Sequence, residues 1–164
     1  LDKIVFDYQA YNHETDEYLM GRNRQKHLCL LDSLINASKV GIETDVHRTL
    51  DGKFVCFHDD TTGRVAIDNM TIEETTFDTL RKLLLTDTNG VKGREDLKIP
   101  TLKEYISTCK RYEKIAVLEL KNEFEKEDIA KICDEINELD YLSNVIFISF
   151  AFNNLIKFSM FFLF

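Results

Sequence analysis

Positive charge is what this sequence has too little of to bind nucleic acid. It carries 21 Lys+Arg against 29 Asp+Glu, a formal net charge of -8, so it offers no broad basic face to a phosphate backbone or an anionic membrane surface. Cysteine is sparse and never arranged as CxxC: Cys29, Cys56, Cys109 and Cys133 lie far apart, and all but Cys109 fall in apolar runs. That spacing argues against a zinc site or a disulfide framework and reads as free buried thiols, which points to a reducing, cytoplasmic compartment. Long apolar runs are missing too. The most apolar stretch, Leu155 to Phe164, contains Lys157 and falls well short of the roughly 20 residues a membrane span needs. Ile4-Val5-Phe6 is too short for the apolar core of a signal peptide, although the chain opens on Leu1 rather than Met, which leaves a removed leader open. There is no internal repeat and no low-complexity linker. What is present is ordinary for a soluble domain: 164 residues, 44% hydrophobic and 30% charged, which predicts one domain, residues 1–164, with a real core.

Strands and helices alternate along the chain. Lys3 to Tyr8 reads as a short buried strand and Gln9 to Lys26 as a loop. Leu28, Leu31, Leu34, Ile35 and Ala37 recur at helical spacing over His27 to Lys39, with Gly41 as a stop. Two strands follow, one through Glu43 and Asp45 and one over Lys53 to Phe57, joined by the turn signal Thr49-Leu50-Asp51-Gly52. Thr71 and Glu74 have capping-box spacing ahead of Phe77, Leu80, Leu83 and Leu84, and Thr86 to Lys98 reads as loop. A second box, Thr101 and Glu104, follows Pro100 and precedes the stripe Leu102, Tyr105, Ile106 and Cys109. Lys114 to Lys121 is a strand, Phe124 to Leu139 an amphipathic helix and Asn144 to Phe150 a buried strand; the apolar end reads first as a helix that later sequence covers, with an interfacial anchor or an effect of where the sequence is cut as the alternatives. This order predicts an α/β fold of parallel strands with helical crossovers, either a (β/α) barrel or a doubly wound sheet.

The chemistry concentrates between Gly41 and Asp60. Glu43 and Asp45 are two apart in an extended strand, so both carboxylates point to one face. With Glu119 near the end of a later strand, they make a hard oxygen set suited to Mg²⁺ or Ca²⁺, which would relieve the cost of buried like charges. His58, at the end of the next strand, has the pKa range of a general acid or base; a satisfied core histidine is the plainer alternative. Lys121 shares a face with Glu119 and either meets a substrate phosphate or neutralises that acid. His13, His27 and His47 are weaker candidates; His47 alternates with Asp45 onto the site face, yet His47 and Arg48 also suit the exposed start of a turn.

In order and spacing, GIETDVHRTLDGKFVCFHDD, then IPTLKEY, then VLELK resemble the glycerophosphodiester phosphodiesterases, a TIM-barrel family of the phospholipase-C-like phosphodiesterase superfamily. The likeness runs from Lys3 to Leu155 and includes Ser149-Phe150 as a supporting match. It implies that Glu43, Asp45 and Glu119 hold one divalent cation, Mg²⁺ or Ca²⁺, that His58 is one of two catalytic histidines, and that Lys121 touches the phosphate of a glycerophosphodiester. The departures sit upstream. The family's His-Arg-Gly falls on Asp7, Tyr8 and Gln9, and its Glu-Asn-Thr on Gln25, Lys26 and His27. A full barrel has eight strands and only about the first five strand-helix units are readable, which predicts an open sheet edge that, with the apolar tail, invites self-association. Two functions follow: metal-dependent hydrolysis of glycerophosphodiesters to an alcohol and glycerol 3-phosphate, or a non-catalytic domain that keeps the metal or phosphate pocket for binding.

Overall fold

The structure, a computed structural model, describes residues 3–4, 9–12, 17–19, 40–86, 93 and 97–159. Strand β1 (Lys3–Ile4), β2 (Gln9–Asn12), β3 (Glu17–Leu19), β4 (Val40–Arg48), β5 (Phe54–Cys56), β6 (Leu97–Lys98), β7 (Ile115–Leu120) and β8 (Val145–Ile148) are joined by helices α1 (Phe77–Leu80), α2 (Leu102–Arg111), α3 (Lys126–Asn137) and α4 (Phe152–Ser159). The larger sheet has six strands in the order β3-β2-β4-β7-β8, with β5 also on β4. Strands β4, β7 and β8 are parallel, as expected of strands separated by helices. The β4–β5 hairpin turns through Gly52 at φ 74°, a conformation glycine adopts without strain.

Several expectations are corrected. Gln9 to Lys26 is not all loop: β2 and β3 lie within it, antiparallel to each other, and β2 runs antiparallel to β4. Of the expected first strand, Lys3–Ile4 pairs in parallel with β6, which itself lies inside the stretch read as loop, and residues 5–8 lie outside the described residues. The helix expected over His27 to Lys39 lies outside the described residues. The Thr71–Glu74 box does not form, because Thr71 bridges Thr61 and the Ile72 N–H donates to the Asp60 carbonyl, which ties this backbone to the loop after β5. Only the single turn α1 remains helical there. Strand β8 is half exposed rather than buried, with Ile146 and Ile148 facing out.

Alternation along the strands separates core from site. Val46 of β4 and Ala116, Leu118 and Leu120 of β7 face the helices and pack with Leu102, Tyr105, Ile106 and Cys109 of α2 and Ile129, Ile132 and Ile136 of α3. The Thr101–Glu104 box forms in full, as read: the Thr101 hydroxyl accepts from the Glu104 N–H and the Glu104 carboxylate from the Thr101 N–H. A second core, Val55, Phe57, Ala66, Ile72, Leu80, Leu83, Leu85, Leu97 and Ile99, lies on the other side of β5, whose Phe54 and Cys56 belong to the first.

Candidate active site

Glu43, Asp45 and His47 share the face of β4 opposite the helices. The parallel register sets Asp45 beside Glu119 and Glu43 beside Val117, so two acids meet across neighbouring strands. One carboxylate oxygen each from Glu43, Asp45 and Glu119 lie within 4.8 Å of one another. Oxygens bound to one Mg²⁺ or Ca²⁺ are at most about 4 to 5 Å apart, so the set fits a single hard cation. Asp45 and Glu119 are nearly inaccessible, 2% and 7% exposed. Burial and the charge of Asp45 push the Glu119 carboxyl above its usual range, against the opposing pull of Lys121 and His58. Lys121 Nζ donates to Asp45 Oδ1 at 2.9 Å and stands 3.9 Å from Glu119 Oε1. Burial works against its charge, but the Asp45 hydrogen bond and the charges of Asp45, Glu119 and Asp60 outweigh that and raise its pKa. Among the described residues Asp45 and Glu119 share the Lys121 ammonium with the Glu43 carboxylate close by, a concentration of acid that a divalent cation would relieve.

His58 arrives from the other side of β4. The Phe57 N–H donates to the Asp45 carbonyl, which carries the chain past β5 directly to His58 and Asp59. His58 Nδ1 lies 2.6 Å from Asp59 Oδ1, and Arg64 Nε donates to Asp59 Oδ2 at 2.5 Å. Burial opposes ionisation of Asp59, but the hydrogen bonds from Arg64 and His58 and their charges hold its carboxyl below the usual range. An ionised Asp59 assigns the proton to Nδ1 and leaves Nε2 for chemistry. The ring is 49% exposed and so open to a substrate.

Residues 29–160 match the glycerophosphoryl diester phosphodiesterase family. The chain belongs to that family. Among solved structures it is similar to an Oleispira antarctica phosphodiesterase in complex with the product sn-glycerol-3-phosphate, at 26% identity and a TM-score of 0.63; the match covers 84% of this chain and 56% of that one. It is also similar in fold to a glycerophosphodiester phosphodiesterase from Agrobacterium tumefaciens, at 22% identity and a TM-score of 0.61, covering 79% of this chain and 52% of that one. The chain thus spans about half the length of these relatives. No curated protein matches it significantly. The fold is of the TIM-barrel type, and the parallel β4, β7 and β8 are a partial sheet of such a barrel.

Five of the residues expected from the glycerophosphodiester phosphodiesterase pattern converge: Glu43, Asp45, Glu119 and Lys121 in direct proximity, with His58 near enough for its charge to act on Glu119. His13 and His27 lie outside the described residues, as do Asp7, Tyr8, Gln25 and Lys26. Gln9 falls in β2, opposite Glu43. His47 is not at an exposed turn: it is fully buried, neither ring nitrogen has a hydrogen-bond partner among the described residues, and Glu73 Oε1 stands 3.5 Å from Nδ1. Burial lowers its pKa against the opposing pull of Glu73, Asp60 and Asp45, which favours the neutral imidazole.

Sequence reasoning missed the supports of the site. The orienting role of Asp59 was signalled by its place next to His58, but Arg64 had no local cue. Asn122 also escaped notice. Its Nδ2 donates to Glu73 Oε1 at 2.8 Å and to Asp60 Oδ1 at 3.3 Å, which ties the turn after Lys121 to the loop that follows His58.

Proposed function

We propose that this domain hydrolyses glycerophosphodiesters to an alcohol and glycerol 3-phosphate through one divalent cation held by Glu43, Asp45 and Glu119. The observation that carries the reading is the convergence of the three carboxylate oxygens within 4.8 Å, with Lys121 beside them. The product named for the Oleispira antarctica relative supports the substrate class. When bound, the cation supplies charge neutralisation and Lewis-acid polarisation at phosphate oxygens. The ammonium of Lys121 meets a further phosphate oxygen as a point charge. His58, its Nδ1 proton held on Asp59, exchanges a proton through Nε2 with the attacking hydroxyl or the departing alcohol. Mg²⁺ and Ca²⁺ both suit the oxygen set.

One observation favours a second reading, a domain that binds the metal and a phosphate without turnover. The strand beside Glu43 is β2, which runs antiparallel and bears Gln9-Ala10-Tyr11-Asn12, so no second histidine stands on it for the other proton transfer. Incubation of the protein with glycerophosphocholine and Mg²⁺ or Ca²⁺ decides. Release of glycerol 3-phosphate that His58→Ala removes supports the hydrolase, and cation binding without release supports the binding domain. If neither ion binds and Glu43→Gln changes nothing, the metal site itself is wrong.

The free thiols of Cys56, Cys109 and Cys133 support a reducing, cytoplasmic setting, and no described helix is long and apolar enough to cross a membrane. Residues 1–164 are read as one domain. Exposed Ile146, Ile148, Phe150 and Phe152 support self-association along the β8 edge, which sedimentation velocity tests.

A further inference from the structure

Glu119 and Lys121 lie where β7 runs into α3, and the turn between those elements is held from more than thirty residues away. Asn154, in the first turn of α4, is completely buried. Its Nδ2 donates to the Asn122 carbonyl at 2.6 Å and to Ser149 Oγ at 3.0 Å, and its Oδ1 accepts from the Phe124 N–H at 2.9 Å. The opposite amide orientation would set an NH₂ against that N–H, so the network fixes the assignment. Ser149 Oγ in turn donates to the Leu120 carbonyl at 2.7 Å. Asn153 Nδ2 reaches Glu123 Oε1 and Lys157 Nζ reaches the Phe124 carbonyl, each at 2.7 Å. Leu120, Asn122, Glu123 and Phe124, the residues around Lys121, are therefore all gripped by Ser149 and α4.

Packing alone gives no reason for an amide here. A buried Asn in a helix is disfavoured by propensity and by desolvation unless its polar atoms are matched, and every match it makes is to this turn or to Ser149. Lys121 itself is held on its other side by its N–H to the Val46 carbonyl at 3.2 Å and by Nζ on Asp45. We infer that Asn154 is a positioning residue for Lys121: it sets the backbone following Lys121 so that the ammonium stands over Asp45 and Glu119, where a substrate phosphate would meet it. This rests on the reading above that Lys121 contacts phosphate.

Two readouts test it, with folding checked by circular dichroism. In calorimetric titrations of glycerol 3-phosphate into the Mg²⁺-saturated protein, Asn154→Ala and Lys121→Ala each weaken binding about tenfold. The double variant is no weaker than Lys121→Ala alone, because Asn154 acts through Lys121. Losses that add, or phosphate binding untouched by Asn154→Ala, overturn the inference. In the second readout, the Lys121 ammonium NMR signal is slowed in exchange by its bond to Asp45 in the unliganded protein and loses that protection in Asn154→Ala; retained protection overturns the inference as well. If the wild-type protein binds no glycerol 3-phosphate, the phosphate reading of Lys121 falls while the NMR arm still decides the role of Asn154. Should Asn154→Ala fail to fold, Asn154→Asp keeps the volume and the acceptor to Phe124 but removes both donors, and the same outcomes apply to it.

Discussion

Glu43, Asp45 and Glu119 stand on two parallel strands paired over six consecutive positions, Gly41–Val46 with Ile115–Leu120, whereas His58 stands on a loop held by individual hydrogen bonds and by ion pairs to Asp59. The carboxylates take their geometry from the sheet, and a substitution among them changes charge without changing register. His58 takes its orientation from Asp59, and Asp59 from Arg64, whose side chain is 43% exposed. Exposed ion pairs hold geometry weakly. The comparison teaches that, on the proposed reading, binding of the cation and transfer of the proton rest on separate supports, so they should fail separately.

The largest effect is expected at the strands. Asp45→Asn removes a ligand and the partner of Lys121, and should weaken Mg²⁺ or Ca²⁺ binding by about 100-fold or more, read by calorimetry; retained affinity would break the division between the two halves. His58→Ala should lower turnover of glycerophosphocholine by about 10²- to 10⁴-fold with cation affinity unchanged. Asp59→Asn should lower turnover less, by about tenfold, through the lost tautomer and orientation of His58. It also carries a pH signature. A carboxyl held below its usual range in the fold contributes stability that is present above its unfolded pKa, about 3.9, and is lost as the pH falls through the lower folded value. Melting temperatures of wild type and Asp59→Asn should therefore differ above about pH 4 and converge below it. The smallest effect separates the two Thr-x-x-Glu segments: Thr101→Ala should cost about 1 kcal/mol, and Thr71→Ala, which loses no cap, about 0.5 kcal/mol or less by denaturant unfolding.

The acids were legible because a period of two needs only a local sequence to place Glu43 with Asp45, and the end of a later strand to place Glu119. Thr101 was legible because its box, its preceding Pro100 and the apolar stripe Leu102, Tyr105, Ile106 and Cys109 all agree. Thr71 has the same spacing without that agreement, and tertiary bonds to Asp60 and Thr61 took its backbone. Strands β2 and β3 were read as loop because their polar residues carry no strong alternation. Asn122 and Asn154 went unnoticed, since nothing local signals a hydrogen bond across 32 positions. The burial of His47 beside Glu73 was equally hidden, because Glu73 approaches it only through the folded loop.

Strand β5 divides the two cores, sending Phe54 and Cys56 to one side and Val55 and Phe57 to the other. The second core is the smaller, and it is built chiefly from the segment that follows His58. Such a cluster is a natural cooperative unit of partial opening. When it opens it carries His58, Asp59 and Arg64 away together, while Asp45 and Glu119 stay paired in the sheet. Amide exchange should accordingly show Ile72 and Leu80 unprotected by a lower-energy fluctuation than Leu118, a short-lived state in which, on the proposed reading, the carboxylates keep a cation with no acid or base beside it.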